Sequence, residues 1–409
     1  MMVYLVSPNE RKMLTNAGDR KPLSVLYLSS ALTAGGVDNE VFDLNHTPWL
    51  NFIDRVKRDK PDAVGLSVIS TPAFPQMRRL AQEIRPYTGR IVMGGFHASA
   101  LPHTLEDVAD TVVVGDGETA ILRAVNGEDG IISGDVNVND VPIPDRSKLS
   151  GNEYGMHLLG LKISGVTTAR GCPYSCDFCG NMNKTVKFRD PGNIRTEIAG
   201  LKKDGVEAVY FYNESHTLNK GHAEAVGRIM KDAKMKYRLE TRANLVDGDM
   251  ARMLSDTGCM MVALGIESGD DKVLEAIHKG ETTDHIRAAV YHLARHGIPM
   301  KGYFIMGLPE QDLASGLRSI DFAKELKTKG MIQADFYNLT PFPGSPIAKF
   351  PEQYGVRVLS DNPRKYLEAG RGVQEPVIET DWLSKEGIKS LVTRARLEWD
   401  SAPSRAVAA

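Results

Sequence analysis

The chain has 409 residues, 42% hydrophobic and 25% charged, with 50 basic against 52 acidic side chains and a net charge of −2. These proportions exclude a collagen-like, coiled-coil or largely disordered chain, and the near balance of charge excludes a general attraction to nucleic acid or anionic lipid. At about 150 residues per domain the length fits two or three domains. The sequence has no run of about 18 apolar residues to span a membrane. Its N-terminus, MMVYLVSPNERK, lacks a signal-peptide pattern, so a cytoplasmic location is expected.

The first segment alternates strands and helices. MVYLVSP reads as a short apolar strand. Residues 22–32 read as a helix, with apolar side chains at Leu23, Leu26, Tyr27 and Leu32, and 39–43 as a strand. A helix at 49–58, a strand at 62–67, a helix at 75–85 and strands at 91–94 and 111–114 follow. Buried strands separated by single helices predict a parallel, doubly wound, Rossmann-like sheet. Ligands of such sheets bind outside the carboxyl ends of the strands. The sequence places Ser67, Ser70 and Thr71, then Gly94, Gly95 and His97, then Gly115, Gly117 and Glu118 at those ends. Clustered glycines there let backbone approach a large ligand closely.

Residues 126–160 are polar and read as a linker. Alternation then restarts, with strands at 162–168, 207–212, 237–242, 260–266, 300–306 and 332–340. Helices are expected near 192–203, 219–232, 248–256, 283–296 and 311–327. Six strand–helix units predict a (β/α)6 partial TIM barrel, shorter than the closed eight-unit form. The expected division is therefore 1–125, a linker at 126–160, the barrel at 161–348 and a short helical extension at 349–409. That extension holds an amphipathic helix at 384–399 and a disordered tail, SAPSRAVAA.

Three of the four cysteines fall in one run, Cys172-Pro-Tyr-Ser-Cys176-Asp-Phe178-Cys179, and Cys259 stands alone. A secreted disulfide framework would scatter its cysteines in pairs, whereas a tight triplet reads as a metal site. Three thiolates on one loop can take three irons of a cubane cluster, leaving the fourth iron open to substrate or cofactor. A closed zinc site would need a fourth ligand such as His157. Buried cysteines without a ligand have no packing reason for this spacing. Cys259 is expected to pack as a small apolar residue.

The run CPYSCDFC resembles the signature of the radical S-adenosylmethionine (SAM) enzymes, C-x3-C-x-aromatic-C. The resemblance implies a [4Fe–4S] cluster on Cys172, Cys176 and Cys179 whose open iron chelates SAM. It also implies reductive cleavage of SAM to a 5′-deoxyadenosyl radical, with the electron drawn from a donor such as flavodoxin or ferredoxin. It places Phe178 near the adenine, with plain loop packing as the rival role. Tyr212, Asn213 and Glu214 match a segment that contacts the SAM amino group. Relatives often carry two Asp where this chain has Asn213 and Glu214, which leaves Asn213 open and keeps an acceptor at Glu214. Gly265-Ile-Glu267-Ser268 resembles the segment that binds the ribose or the methionine carboxylate, with helix capping as the rival for Ser268. Gly307, in GYFIMGLPE, resembles the fifth-strand adenine motif. Arg242 is a candidate for the SAM carboxylate, with a surface or ion-pair role as the alternative.

Residues 22–28, 60–67, 94–99 and 114–118 resemble the cobalamin-binding domain of the class B radical SAM enzymes. The resemblance implies corrin contacts from Ser67, Thr71, Gly94, Gly95, His97, Gly115, Gly117 and Glu118. The D-x-H-x-x-G motif that supplies a histidine to cobalt is absent, and Asp43-Leu-Asn-His46 has the wrong spacing. For His97 a structural role is the alternative. With one spare cysteine, auxiliary clusters are excluded, and with none in residues 1–150, so is tRNA methylthiolation. The implied activity is methylation of an unactivated carbon of a small-molecule substrate, a natural product or a cofactor. The alternative is a non-methylating dehydratase, epimerase or rearrangement enzyme acting on a sugar or aminoglycoside, with a vestigial cobalamin domain. A cobalamin or redox sensor would need no SAM pocket. No nucleic-acid or membrane partner is expected.

Overall fold

The computed structural model describes residues 1–11, 19–149, 154–370 and 375–403. The chain divides into two compact units, Met1–Gly165 and Val166–Ala409.

The first unit runs β1 (Met2–Ser7), α1 (Leu23–Ala34), β2 (Asp38–Asp43), α2 (Trp49–Asp59), β3 (Ala63–Ser67), α3 (Phe74–Ile84), β4 (Arg90–Gly94), α4 (Phe96–Ala100), β5 (Thr111–Gly115), α5 (Gly117–Val125) and β6 (Gly130–Gly134). All six strands pair in parallel, in the order β2-β1-β3-β4-β5-β6. Successive side chains of a strand point to opposite faces. Tyr4 and Val6 therefore join Phe52, Val56, Met77 and Leu80 in one core, and Val3 and Leu5 join Leu26, Leu32 and Ile121 in another. Both faces are covered, which is why β1 is apolar without a break. Strand order reverses between β1 and β3, so the ligand crevice of this sheet lies at their carboxyl ends.

The segment expected as a linker contributes β6, which pairs with β5 from Thr111↔Gly130 to Gly115↔Gly134. It is an edge strand with Ile132 buried and Ile131 exposed, and a glycine at each end masks its period-two pattern. The helices α4 and α5 also lie beyond the elements read from the sequence.

The chain continues through β7 (His157–Leu158), β8 (Leu161–Val166), β9 (Ala169–Arg170), β10 (Lys187–Phe188), α6 (Pro191–Lys203), β11 (Ala208–Phe211), α7 (Lys220–Ala233), β12 (Lys236–Thr241) and α8 (Gly248–Asp256). It ends with β13 (Cys259–Glu267), α9 (Asp271–Ala276), α10 (Thr283–Arg295), β14 (Met300–Met306), α11 (Leu313–Thr328), β15 (Met331–Asn338), α12 (Pro346–Lys349), β16 (Val356–Val358), α13 (Pro363–Gly370), β17 (Ile378–Thr380) and α14 (Lys385–Ser401). The second sheet has the order β15-β14-β13-β12-β11-β8-β7, and β11 to β15 pair in parallel. Strands adjacent in space and joined by helices make a (β/α)6 partial barrel.

Alternation in β12 and β14 decides what each side of this sheet carries. Tyr237, Leu239, Phe304 and Met306 are buried in the core shared with the helices. Arg238, Glu240, Lys301 and Tyr303 take the opposite, inner face and are only half-buried. The C-terminal helix α14 contributes Ile388, Leu391, Val392, Ala395 and Trp399 to the same core. Of the tail, Ser401 ends α14, and residues 404–409 lie outside the described residues.

Candidate active site

The strand expected over 162–168 stops at Val166, and β9 then pairs antiparallel with β10. The loop between β9 and β10 carries Cys172, Cys176 and Cys179, all free thiols. Its shape is held by its own backbone. The Cys172 N–H donates to Asn183 O (3.0 Å), and the Cys179 N–H donates to Cys176 O (3.0 Å). The Asp177 N–H donates to Ile277 O (3.1 Å), and Asp177 O accepts from the Ile347 N–H (3.1 Å). The Asp177 carboxylate lies 2.5 Å from His278 Nδ1.

Burial, with the neighbouring Cys176 and Cys172 adding to it, raises the Cys179 thiol above its ordinary pKa. Among the described residues, no three His, Cys, Asp or Glu side chains converge on a single-ion position. Three thiols on one short loop can each take a different iron of a cubane. A closed zinc site needs a fourth protein ligand. His157, the ligand a zinc reading needs, is exposed, with Nδ1 2.6 Å from Gly155 O. Cys259 is buried at the start of β13, and burial pushes its thiol up to about 12.

Beside the loop lies a buried group of four charges drawn from three separate segments of the chain. Lys279 Nζ is 2.9 Å from Glu267 Oε1 and 3.4 Å from Glu281 Oε2. Arg242 Nη2 is 3.6 Å from Glu281 Oε2 and donates to Lys279 O. All four residues are buried. Burial disfavours the Lys279 ammonium, but Glu267 and Glu281 outweigh it and hold its pKa above the ordinary value. A Cβ at position 265 would stand 2.6 Å from Glu267 Oε1 and 3.0 Å from Lys279 Nζ, so it would displace the ends of both side chains. Phe178 packs on the barrel core, with Lys279 Nζ 5.9 Å from its ring centroid.

Asn213 is committed to the entry of the cysteine loop. Its Oδ1 accepts from the Thr168 N–H (2.9 Å) and the Ala169 N–H (3.2 Å). Its Nδ2 donates to Thr168 Oγ1 (2.7 Å) and lies 2.9 Å from His216 Nδ1. Burial pushes His216 down to about 3. Glu214, next in sequence, is exposed. Tyr212 is half-buried at the end of β11, its ring 4.3 Å from that of Tyr210.

Ser268 is buried, with Oγ 3.1 Å from Ser319 Oγ and accepting from the Asp270 N–H (3.2 Å). Its hydroxyl is thus occupied just before α9, but the N-cap of that helix is Asp270, whose side chain accepts from the Lys272 and Val273 N–H groups. Gly307 has φ +84°, and its N–H donates to Gln311 Oε1 (2.7 Å). A side chain at 307 would meet Ile388 of α14 at 2.8 Å. Position 307 is therefore shaped by the packing of α14.

The inner face adds a polar layer without a counterpart in the sequence reading. Glu240 accepts from Tyr210 and from Tyr303 (2.9 Å), and Arg238 Nη2 stands 3.4 Å from Glu240 Oε1. Lys301 pairs with Asp335 (2.6 Å), which also accepts from Tyr337 Oη (2.9 Å). The alternating polar positions of KYRLET and MKGYFIM are the signal for this layer.

In the first unit, Ser67 and Gly94 end β3 and β4, Gly115 ends β5, and Gly117 and Glu118 begin α5. Thr71 is buried in the turn after β3. Gly95 has φ +116°, and a Cβ on it would lie 2.8 Å from Val68 O, so glycine is demanded there by the crossing of two backbone segments. His97 is buried and stacked on Phe74, with ring centroids 4.4 Å apart. Its Nδ1 lies 3.3 Å from Thr71 Oγ1 and its Nε2 3.1 Å from Thr104 Oγ1. Burial pushes it down to about 4. Both ring nitrogens therefore face threonine hydroxyls. His46 lies 4.7 Å, ring to ring, from Tyr154. No helix among the described residues is long and apolar enough to cross a membrane.

Residues 166–323 match the Radical SAM superfamily, and residues 13–125 match the B12 binding domain. An uncharacterized methyltransferase of Pyrococcus horikoshii is 26% identical over 92% of this chain and 87% of its own. The anaerobic magnesium-protoporphyrin IX monomethyl ester cyclase of Rubrivivax gelatinosus is 27% identical over 84% of this chain and 69% of its own. In fold, the chain is similar to the radical SAM methyltransferase TsrM of Kitasatospora setae, solved with cobalamin and a [4Fe–4S] cluster (TM-score 0.73, 18% identity, 92% of this chain and 82% of that one). TsrM was also solved with tryptophan substrate and a SAM analog.

Proposed function

We propose, on the premise that this chain belongs to the radical SAM enzymes that carry a B12-binding domain, that it methylates an unactivated carbon of a small molecule. Its cofactors are a [4Fe–4S] cluster, SAM and cobalamin. One observation carries the reading. A loop of three free thiols follows, in the same chain, a doubly wound sheet whose carboxyl edge is rich in glycine. When bound, the cluster and SAM supply a carbon-centred radical, and cobalamin supplies a transferable methyl group.

The remaining chemistry belongs to the side chains. Cys172, Cys176 and Cys179 each take one iron. Glu214 accepts from the SAM ammonium, and Phe178 and Tyr212 offer ring faces beside it. Glu267 acts on SAM through the Lys279 pair. Ser67, Thr71, Gly94, Gly95, Gly115, Gly117 and Glu118 form the edge that receives the corrin. The inner layer of Tyr210, Arg238, Glu240 and Tyr303 contacts the substrate. Its charges are already paired with one another, which suits an uncharged, hydrogen-bonding molecule. A tryptophan-sized substrate in a protein of similar fold supports a small molecule here. The electron comes from a low-potential donor such as flavodoxin or ferredoxin. An oxygen-sensitive cluster suits a reducing compartment, the cytoplasm.

A second reading, radical chemistry without methylation, is favoured by the likeness to a protein named as a cyclase. The products decide between them. After anaerobic reconstitution with hydroxocobalamin, methylation uses SAM twice and yields S-adenosylhomocysteine beside 5′-deoxyadenosine. The non-methylating reaction yields 5′-deoxyadenosine alone. Absence of cobalamin-dependent S-adenosylhomocysteine would reject the methyltransferase.

A further inference from the structure

We propose that the Arg242 guanidinium hydrogen-bonds the sulfur of Cys176 and makes the cluster held by that cysteine easier to reduce. The inference rests on the assignment of a [4Fe–4S] cluster to Cys172, Cys176 and Cys179. It concerns a residue first considered for the SAM carboxylate.

Arg242 follows β12 and is buried. Its Nη1 lies 3.4 Å from Cys176 Sγ. Its guanidinium carbon stands 3.7 Å from the centroid of the Tyr174 ring, on the same loop. Nε donates to Asn244 Oδ1 (3.3 Å), and Nη2 donates to Lys279 O and faces Glu281 Oε2 at 3.6 Å. A guanidinium has five N–H donors in a fixed fork. Three of them are donated to groups of this chain, one from each nitrogen, and the guanidinium face is covered by Tyr174. The side chain is therefore built into the cluster loop.

Cys176 is the buried one of the three cysteines. A donor in a dry, low-dielectric place acts more strongly than the same donor in water. The reduction potential of an iron–sulfur cluster follows its net charge, the hydrogen bonds to its sulfurs and its exposure to solvent. Reduction adds one electron, supplied by an external low-potential carrier, and breaks no bond. The added negative charge spreads onto the ligating sulfurs, so an N–H aimed at one of them stabilises the reduced state more than the oxidised state. Glu281 and Glu267 offset the formal charge of Arg242 and Lys279. The directed N–H···S contact is then the larger influence. Lysine cannot reproduce it while also stacking on Tyr174, because a compact ammonium lacks the planar fork.

Arg242 is thus a positioning residue whose signature is a potential. The test is a redox titration of the reconstituted, SAM-free full chain, followed by electron paramagnetic resonance, for wild type, Arg242→Lys and Arg242→Gln. With the full iron complement retained, Arg242→Gln should shift the reduction equilibrium about tenfold toward the oxidised cluster, or about 59 mV for a one-electron couple. Arg242→Lys should show a smaller shift of the same sign. An unchanged potential in Arg242→Gln overturns the proposal, and a loss of SAM affinity alone would return Arg242 to the carboxylate. Should the variants fail to assemble a cluster, wild-type protein grown on 15N-arginine still tests it. Pulsed spectra of the reduced cluster should show a 15N coupling, and its absence overturns the proposal.

Discussion

Glu267 Oε1 accepts a hydrogen bond from Lys279 Nζ at 2.9 Å, and Gly265 lies beneath both. A carboxylate at the end of a barrel strand reads as a ligand group, but this one is already paired. The pair fixes where Lys279 stands, and Lys279 O in turn holds Arg242. A segment that reads as a cofactor motif therefore builds the support under the cysteine loop.

Lys279→Met is expected to be strongly destabilising. It would leave Glu267 and Glu281 buried with one cation fewer, and breaking a buried pair by removing one partner costs about 3–5 kcal/mol. Urea unfolding of the cluster-free chain measures this. A loss under about 0.5 kcal/mol, the range of ordinary surface changes, would show that the network carries no such energy.

Gly265→Ala probes the same pair from below. The added methyl would meet Glu267 Oε1 at 2.6 Å and Lys279 Nζ at 3.0 Å, so the ion pair must shift. Overpacking of this kind costs about 1–3 kcal/mol. The double variant Gly265→Ala/Lys279→Met should lose less than the sum of the single losses, since both act on one contact. Additive losses would separate Gly265 from the pair.

The cysteine loop was legible because its spacing has no use in packing. The two sheets were legible because their strands alternate with helices of matching period. Lys279 was not. It lies beyond α9, a six-residue helix too short to show a period, and is 12 residues from its partner Glu267. The signal was there in Lys279-Gly280-Glu281: two opposite charges around a glycine of positive φ (65°), just past a helix. The sequence leaves Asn213 open and gives Ser268 two roles, because a polar residue at a strand end looks the same whether it faces a cofactor or a backbone amide. Only the three-dimensional neighbours, Thr168 for one and Ser319 for the other, separate the two cases.

Asn213→Ala should disturb the cysteine loop rather than SAM binding. It removes the acceptor for the N–H groups of Thr168 and Ala169. Buried donors left unpaired cost about 1–3 kcal/mol each. Iron content after reconstitution should fall with thermal stability. Asn213→Asp keeps the acceptor but puts a carboxylate beside His216, which should climb from about 3. An unmoved His216 titration by NMR would contradict this geometry.

His97 gives the first unit a pH dependence of stability. Burial depresses its pKa from 6.5 to about 4 in the folded state. Between those values the unfolded chain binds more protons, so stability rises with pH. The His97 contribution is complete above about pH 6.5 and is lost as pH falls toward 4. His97→Asn should lower stability at pH 7 and flatten the slope over that window; a slope as steep as wild type would assign it elsewhere. Because both its ring nitrogens face threonines, His97 should add no nitrogen splitting to the Co(II) form of the reconstituted protein.

Glu214 is the carboxylate proposed as the acceptor for SAM. It is exposed, while Asn213 before it is used by backbone amides and Glu267 is paired with Lys279. A carboxylate that accepts from an ammonium makes one of the stronger hydrogen bonds. Losing it costs about 1.5–3 kcal/mol, or roughly ten- to a hundredfold in affinity. Glu214→Gln should therefore weaken SAM binding by that factor and leave iron content and unfolding unchanged, the reverse of the pattern expected for Asn213→Ala. The rival account makes Glu214 a solvent-facing acid, whose neutralisation would change little. Isothermal titration of SAM into the anaerobically reconstituted protein separates the two, and an unaltered affinity rejects the assignment.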